Sequence, residues 1–228
     1  MTHTEHDALK FAVLATDIVI FTFHDDQLLV RLTRVERPPH FAHASGFPGG
    51  LIKPTESAET AACRLTFEKA GIDHTKLHIE QLATFSRVDR DPRGRVVAVA
   101  YSAYVPWTQL NDIERSNTDT AWWAPVFTAR HLAYDHDEVL RVAQERLRTR
   151  GRYTTLVSRL MPKEFTLTEL ENVYECILGT ELDKRNFRKK ILKIGVLKET
   201  MRMRSGGRFR PAKLYRFSAK DVKEIDVL

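Results

Sequence analysis

Apolar residues along the first two-thirds of the chain fall in short runs rich in β-branched and aromatic side chains, separated by polar turns. Asp17 to Phe23 (DIVIFTF) and Leu28 to Leu32 (LLVRL) flank His24-Asp25-Asp26-Gln27, which predicts a β-hairpin. Gln81 to Arg87 and Val96 to Val105 flank Asp89-Arg90-Asp91-Pro92-Arg93-Gly94, and Asp-Pro closely followed by Gly is turn chemistry, so a second hairpin is expected. In its return strand Val97, Val99, Tyr101 and Ala103 alternate with Ala98, Ala100, Ser102 and Tyr104. A strand so free of charge is expected to be buried on both faces. Between the hairpins, Thr55-Glu56-Ser57 supplies helix-start signals, and Ala58 to Ala70 runs without Gly or Pro until Gly71. Asp137 to Thr149 places Val139, Leu140, Ala143 and Leu147 at helical spacing, with Gly151 expected to end that helix.

The pattern changes after Met161-Pro162-Lys163-Glu164-Phe165. Thr166-Leu167-Thr168-Glu169 has the form of a capping box, and Leu167, Leu170, Val173, Tyr174 and Ile177 follow on one helical face up to Gly179. Asp183 then opens a second helix whose Phe187, Ile191 and Ile194 face inward, with Gly195 at its end. Two β-like segments, Val196 to Thr200 and Ala212 to Phe217, flank an Arg/Gly loop from Met201 to Pro211. Helix, turn, helix and a two-stranded wing outline a winged helix-turn-helix. The chain therefore divides, in expectation, into a body over residues 1–150 and a second module over 151–228.

Composition sharpens that division. The 228 residues are 43% apolar and 29% charged, enough to build a core. No apolar run approaches the roughly 18 residues of a membrane span. The opening MTHTEHDALK lacks a signal peptide's basic start and apolar stretch, and two cysteines, Cys63 and Cys176, read as small core residues of a reducing cytosol. A cytoplasmic protein without membrane attachment is expected. The net charge of +6 is unevenly placed: residues 151–228 carry 18 Lys and Arg against 10 Asp and Glu, whereas the first 150 carry 18 against 20. Such an excess suits a polyanion, although a solvated basic face would look the same. On the second helix Lys184, Arg185, Arg188 and Lys189 lie off the apolar stripe, and Asn186 offers a donor–acceptor pair suited to an adenine edge. Arg202, Arg204, Arg208 and Arg210 flank Gly206 and Gly207 in the wing. With the fold outline, these residues predict double-stranded DNA as partner. RNA fits less well, because no aromatic pair interleaves the cations.

From Gly50 the chain reads GLIKPTESAETAACRLTFEKAGI, which resembles the Nudix box. Gly50, Glu56, Arg64, Glu68, Gly71 and Ile72 match that pattern in register, but Leu65 and Lys69 stand where two metal-binding glutamates belong, and Thr66 replaces an apolar residue. Nudix hydrolases hold Mg²⁺ on the carboxylates of this helix, and Mg²⁺ requires hard oxygen ligands. Leu65 supplies none and Lys69 brings a like charge. Neither a metal site, nor a cofactor, nor efficient hydrolysis is expected, so no catalytic residue is assigned. The Lys69 ammonium could replace a metal against a ligand pyrophosphate, or stand simply as an exposed charge at a helix end.

A degenerate Nudix domain followed by a winged helix resembles the Nudix-related transcriptional regulators. Gly46-Phe47-Pro48-Gly49-Gly50, Arg90 to Tyr101, Leu132-Ala133-Tyr134-Asp135-His136 and Arg208 to Tyr215 are similar to stretches of that family, in the same order, with Tyr134 for Phe and Phe209 for Gly. The resemblance implies an α+β protein, a Nudix α/β/α sandwich with a mixed sheet followed by a winged helix-turn-helix domain. It implies a homodimer on a palindromic operator, repression of nearby genes, and ADP-ribose or a related phosphorylated sugar as effector. Candidate ligand contacts are Arg34, Arg37, Gly49, Gly50, Glu68, Lys69, Arg93, Arg95 and His136. The four arginines are suited to clamping a pyrophosphate, though each alone also reads as surface charge. Asp135-His136 could cap the following helix instead of touching ligand. Two other functions compete: an active or bifunctional Nudix hydrolase using Glu56 and Glu68, and, more distantly, an RNA-end-binding protein.

Overall fold

The computed structural model describes residues 12–205, 211–219 and 221–225. Its elements are β1 (Val13–His24), β2 (Gln27–Arg37), β3 (Phe41–Gly46), β4 (Gly49–Leu51), α1 (Ala58–Ala70), β5 (His78–Phe85), β6 (Val96–Tyr104), α2 (Asp112–Arg115), β7 (Ala121–Pro125), α3 (His136–Tyr153), α4 (Leu167–Leu178), α5 (Lys184–Ile194), β8 (Leu197–Arg204) and β9 (Ala212–Phe217). The first hairpin closes on Asp25-Asp26, both with positive φ (48° and 56°), as a two-residue turn matching the strand twist requires.

Seven strands form one mixed sheet. Its spine runs β3-β2-β1-β6-β5, with β4 also paired to β1 and β7 to β2. Only β1 and β6 run parallel; the other pairs are antiparallel. Alternation along β1 feeds both faces: Ile18 and Ile20 pack towards α1, Val19 and Phe21 towards α3. The sheet is thus the middle layer of an α/β/α sandwich. α1 begins at Ser57, whose side chain accepts from Thr60 N, and ends at Gly71.

The C-terminal part follows the expected winged-helix outline. Thr166 and Glu169 close a reciprocal capping box on α4, and Asp183 caps α5. Both helices end on glycines with φ near 70–80° (Gly179, 69°; Gly195, 78°), where a Cβ would be strained. β8 and β9 form a separate two-stranded sheet. β8 continues to Arg204, so residues 201–204, expected in a loop, are strand with a register shift between Glu199 and Met203.

Gly151 does not end α3. The helix runs to Tyr153, across the expected division at residue 150, and hands over to a short 3-10 turn at Thr155–Arg159. Gly151 is instead buried in its last turn, and a Cβ built there would lie 3.5 Å from Val157 and 3.9 Å from Ile177. One apolar cluster continues from Phe21 on the sheet, through Leu140 and Leu147 of α3, to Leu156, Tyr174 and Phe187. No helix among the described residues is long and apolar enough to cross a membrane.

These distances are ordinary van der Waals contacts, so Gly151→Ala should raise stability by about 0.5–1 kcal/mol through helix propensity. Gly151→Leu should lower it by about 1–3 kcal/mol through overpacking. Urea midpoints of the two variants should therefore move in opposite directions.

Candidate functional site

A cleft of about 210 Å³ opens where β1, β2 and β4 meet the β5–β6 loop and the segment leading into α3. Arg34 and Arg37 of β2, Gly49 and Gly50 of β4, Lys69 of α1, Arg93 of the loop and His136 of α3 all line it. Two candidates do not. Glu68 turns to Arg64 (2.9 Å) on its own helix, and Arg95 donates to the carbonyl of Ser86 (2.7 Å), bracing its own hairpin. Gly49 is required by close packing, since a Cβ there would lie 2.4 Å from Asp17 Oδ1 and 2.8 Å from the Thr16 carbonyl oxygen, whereas one on Gly50 would lie 3.1 Å from the Leu65 side chain, which would have to shift slightly.

Behind this wall lies an ionic network that sequence inspection missed. Arg90, only 4% exposed, donates through Nη2 to Asp17 Oδ2 (3.0 Å) and through Nε and Nη2 to both oxygens of Asp135 (3.0 and 2.7 Å). His136 Nδ1 accepts from the Phe47 backbone N–H at 3.0 Å. Its neutral form must then carry the proton on Nε2, which lies 3.4 Å from Asp17 Oδ1 without a formed hydrogen bond. Burial alone would raise the Asp17 pKa, but His136 and Arg90 outweigh it and hold the carboxyl below its ordinary value. The Asp/Pro/Gly turn that signalled a surface hairpin gave no hint that Arg90 points inward. Asp135 precedes α3 but its side chain caps no N–H of that helix, being held by Arg90.

The outer rim is cationic and partly anchored. Asp91 grips Arg93 with both oxygens (2.9 and 2.7 Å), and Arg93 lies 5.5 Å from the centre of the Tyr134 ring. Tyr134 has φ of 59°, an uncommon conformation for a bulky residue, and packs against Phe41 at 4.5 Å between ring centres. Arg34 donates Nε to the carbonyl of Asp119 (2.8 Å) and Arg37 donates Nη1 to that of Glu36 (2.8 Å). Their remaining N–H groups have no partner among the described residues, and Lys69 is exposed. An electropositive mouth over a polar floor suits a ligand bearing phosphate groups.

On α1, Leu65 is buried in the core beside Ala62 and Ile72 and fills the space above Gly50. Arg64 binds Glu56 with Nε (2.9 Å) and Nη2, and binds Glu68 with Nη1. Glu56 also accepts from the Lys53 N–H (2.8 Å). Together the Arg64 and Lys53 hydrogen bonds lower the Glu56 pKa to about 2.

In the second module Phe187 and Ile191 face the core, while Lys184, Arg185 and Lys189 are exposed along α5. Asn186 is exposed too, but its Nδ2 donates to the capping Asp183 (2.8 Å), which commits the amide expected to read a base. Arg188 is likewise not a free cation. Its Nε and Nη2 fork onto Glu171 of α4, a carboxylate with no exposed surface, with the Nη2 contact at 2.8 Å. Arg202 pairs with Glu164 (3.3 Å) and Arg204 with Glu169, which ties β8 to the start of α4. Arg208 and Arg210 lie outside the described residues.

Comparison with known proteins adds to this geometry. The family model described as the NUDIX domain matches residues 12–143, and that of the NrtR DNA-binding winged helix domain matches residues 157–217. The chain is similar to the ADPR responsive transcriptional repressor NtrR of Acinetobacter baylyi, with 36% identity over 92% of this chain and 83% of that protein. It is similar in structure to Shewanella oneidensis NrtR complexed with a 27mer DNA, at a TM-score of 0.78 and 33% identity, covering 90% of this chain and 93% of that one. The NUDIX domain of the Shewanella protein complexed with ADP ribose matches at a TM-score of 0.53 and 34% identity, covering 64% of this chain and 94% of that one.

Two stability measurements test the site. Arg90→Met leaves Asp17 and Asp135 buried without their cation and should cost about 3–5 kcal/mol, part of which Asp135→Asn in the same chain should restore. Because the Glu56 pKa is lowered from 4.5 to about 2, its bonds contribute fully above pH 4.5 and are lost as pH falls towards 2. Glu56→Gln should therefore flatten the acid side of the stability profile and leave its neutral-to-alkaline shape unchanged.

Proposed function

This chain belongs to the NrtR family of regulators, in which a NUDIX domain precedes a winged helix, and we propose that it is a ligand-responsive DNA-binding transcriptional repressor. The effector is ADP-ribose or a closely related phosphorylated nucleotide sugar, bound in the cleft. The observation that carries this reading is the continuity of α3. Its first residue, His136, lines the cleft beside Arg90-bound Asp135, and its last turn packs Gly151 against Val157 and Ile177. A ligand that repositions the start of this helix acts on the module that holds α5.

Within the cleft, Arg34, Arg37, Lys69 and Arg93 hold the phosphates, and Tyr134 and His136 form the wall on the α3 side. On the DNA side Lys184, Arg185 and Lys189 make the backbone contacts, with Arg202 and Arg204 reaching phosphate only by leaving Glu164 and Glu169. We place the effector-binding body over residues 1–150 and the DNA-binding module over 151–228, sharing the end of α3. A homodimer acting in the cytoplasm would set two α5 helices against the halves of a palindromic operator.

We read the Nudix helix as having no catalytic role. Mg²⁺ would need carboxylate oxygens, but Arg64 holds Glu56 and Glu68, Leu65 is part of the core, and Lys69 is cationic. Among the described residues no three His, Cys, Asp or Glu side chains are grouped to hold a metal ion. These residues do not fit the metal cluster of a Nudix hydrolase.

Effector release of the operator requires tighter ligand binding to the DNA-free arrangement, and a hundredfold difference corresponds to about 2.7 kcal/mol. Gel-shift titration at fixed salt should show ADP-ribose changing operator affinity, and no change would remove ADP-ribose as effector. Lys69→Ala should weaken ADP-ribose about tenfold, the scale of one charge-assisted contact, with operator affinity unchanged in its absence. With about 3–5 phosphate contacts per subunit, operator binding by a dimer should fall with salt at a log–log slope of roughly −5 to −9. Magnesium-dependent release of AMP from ADP-ribose, abolished by Glu68→Gln, would reverse the non-catalytic reading.

A further inference from the structure

Another cavity, of about 250 Å³, shares no lining residue with the cleft. It is bounded by residues 75–77 ahead of β5, by His78, by Tyr104 at the end of β6, by Pro106 and Gln109, and by Ser158 and Arg159 of the turn that follows α3. It therefore sits at the seam where the sheet meets the first residues of the winged-helix module. Its volume is close to that of the cleft and accommodates a group as small as a single phosphate, so the charge of the lining decides the class of occupant.

The lining is one-sided in charge. Lys76, His78 and Arg159 contribute to it, and no Asp or Glu does. Lys76 uses one of its three donors on Glu114 (2.6 Å), and His78 Nε2 contacts Glu80 (2.8 Å). Neither acid lines the cavity, and Lys76 keeps two further N–H donors. Arg159 has no hydrogen bond or ion pair among the described residues, and its Nε is shielded from solvent. The Tyr104 hydroxyl is also shielded, on a residue only 1% exposed, with the Ser102 hydroxyl as its neighbour. A buried guanidinium N–H without an acceptor is costly, whereas an oxyanion would satisfy it with a charge-assisted bond. Burial pushes the Tyr104 phenol up to about 12, so it remains a donor at neutral pH.

We propose that this seam cavity is a second ligand site, separate from the cleft, that takes a small oxyanion such as a phosphate group on Arg159, Lys76, His78 and Ser158. A ligand there joins β5 and β6 of the body to the turn at Thr155–Arg159, and so stiffens the junction between the modules. This inference does not depend on the identity of the effector or of the DNA site.

The test uses the full chain and inorganic phosphate, with ionic strength held constant by sodium chloride. Wild type and Lys69→Ala, which alters only the cleft, should show a saturable rise in melting temperature of roughly 3–6 °C at ten times the dissociation constant. Arg159→Gln should lose that rise. Should Arg159→Gln fail to fold, wild-type crystals soaked in selenate decide: an anomalous peak beside the Arg159 guanidinium supports the site. A phosphate response that survives Arg159→Gln, or selenate found only in the cleft or along α5, overturns it.

Discussion

One guanidinium organises the N-terminal body. Arg90 reaches from the β5–β6 loop to Asp17 on the central strand and to Asp135 at the start of α3, joining three segments far apart in sequence. Two carboxylates and one guanidinium cannot be taken out of water cheaply, so the arrangement persists only while each charge keeps its partner. The consequence is positional. Arg90 fixes the loop that carries Arg93 and the residues that lead into α3, which are the wall of the cleft. Tyr134 is held in its left-handed conformation between Asp135 on this network and the Phe41 and Arg93 side chains.

The DNA-facing module uses its acids in a related manner. Glu171, Glu169 and Glu164 take up Arg188, Arg204 and Arg202, so three of the arginines that read as free cations in the sequence are paired within the module, while its net excess of basic residues is unchanged. Glu169 does so while completing the capping box of α4. The wing is thereby fastened to the start of the helix preceding α5. A phosphate contact by one of these arginines would exchange one anion for another, a smaller gain than a contact by Lys184, Arg185 or Lys189 would bring, since these three are exposed to water.

Much of this was legible in local pattern. The two hairpins, α1, α4 and α5, their capping residues and the inward faces of α3 and α5 follow from periodicity and turn chemistry, because those features depend on neighbours a few residues away. The Nudix-like spacing marked the side of the cleft formed by Gly49, Gly50 and Lys69. The short strands β3, β4 and β7 were not legible, since their pairing with β2 and β1 is set by contacts across the sheet. Gly151 shows the limit clearly. Next to a run of arginines it reads as a helix stop, yet it is a helical residue kept small by Val157 and Ile177.

The sequence by itself therefore determined the two hairpins and the main helices in their order, the loss of carboxylates at 65 and 69, and the basic character of the last third. Each is a property of residue identity or near-neighbour spacing. The tertiary structure alone decided which charges are free. Arg90 and Arg188 differ little as letters, but one is buried between two aspartates and the other is forked onto a carboxylate without solvent exposure. Whether a cation meets a ligand or a neighbour depends on which distant carboxylate the fold brings within 3 Å of it, and short-range pattern carries no record of that distance.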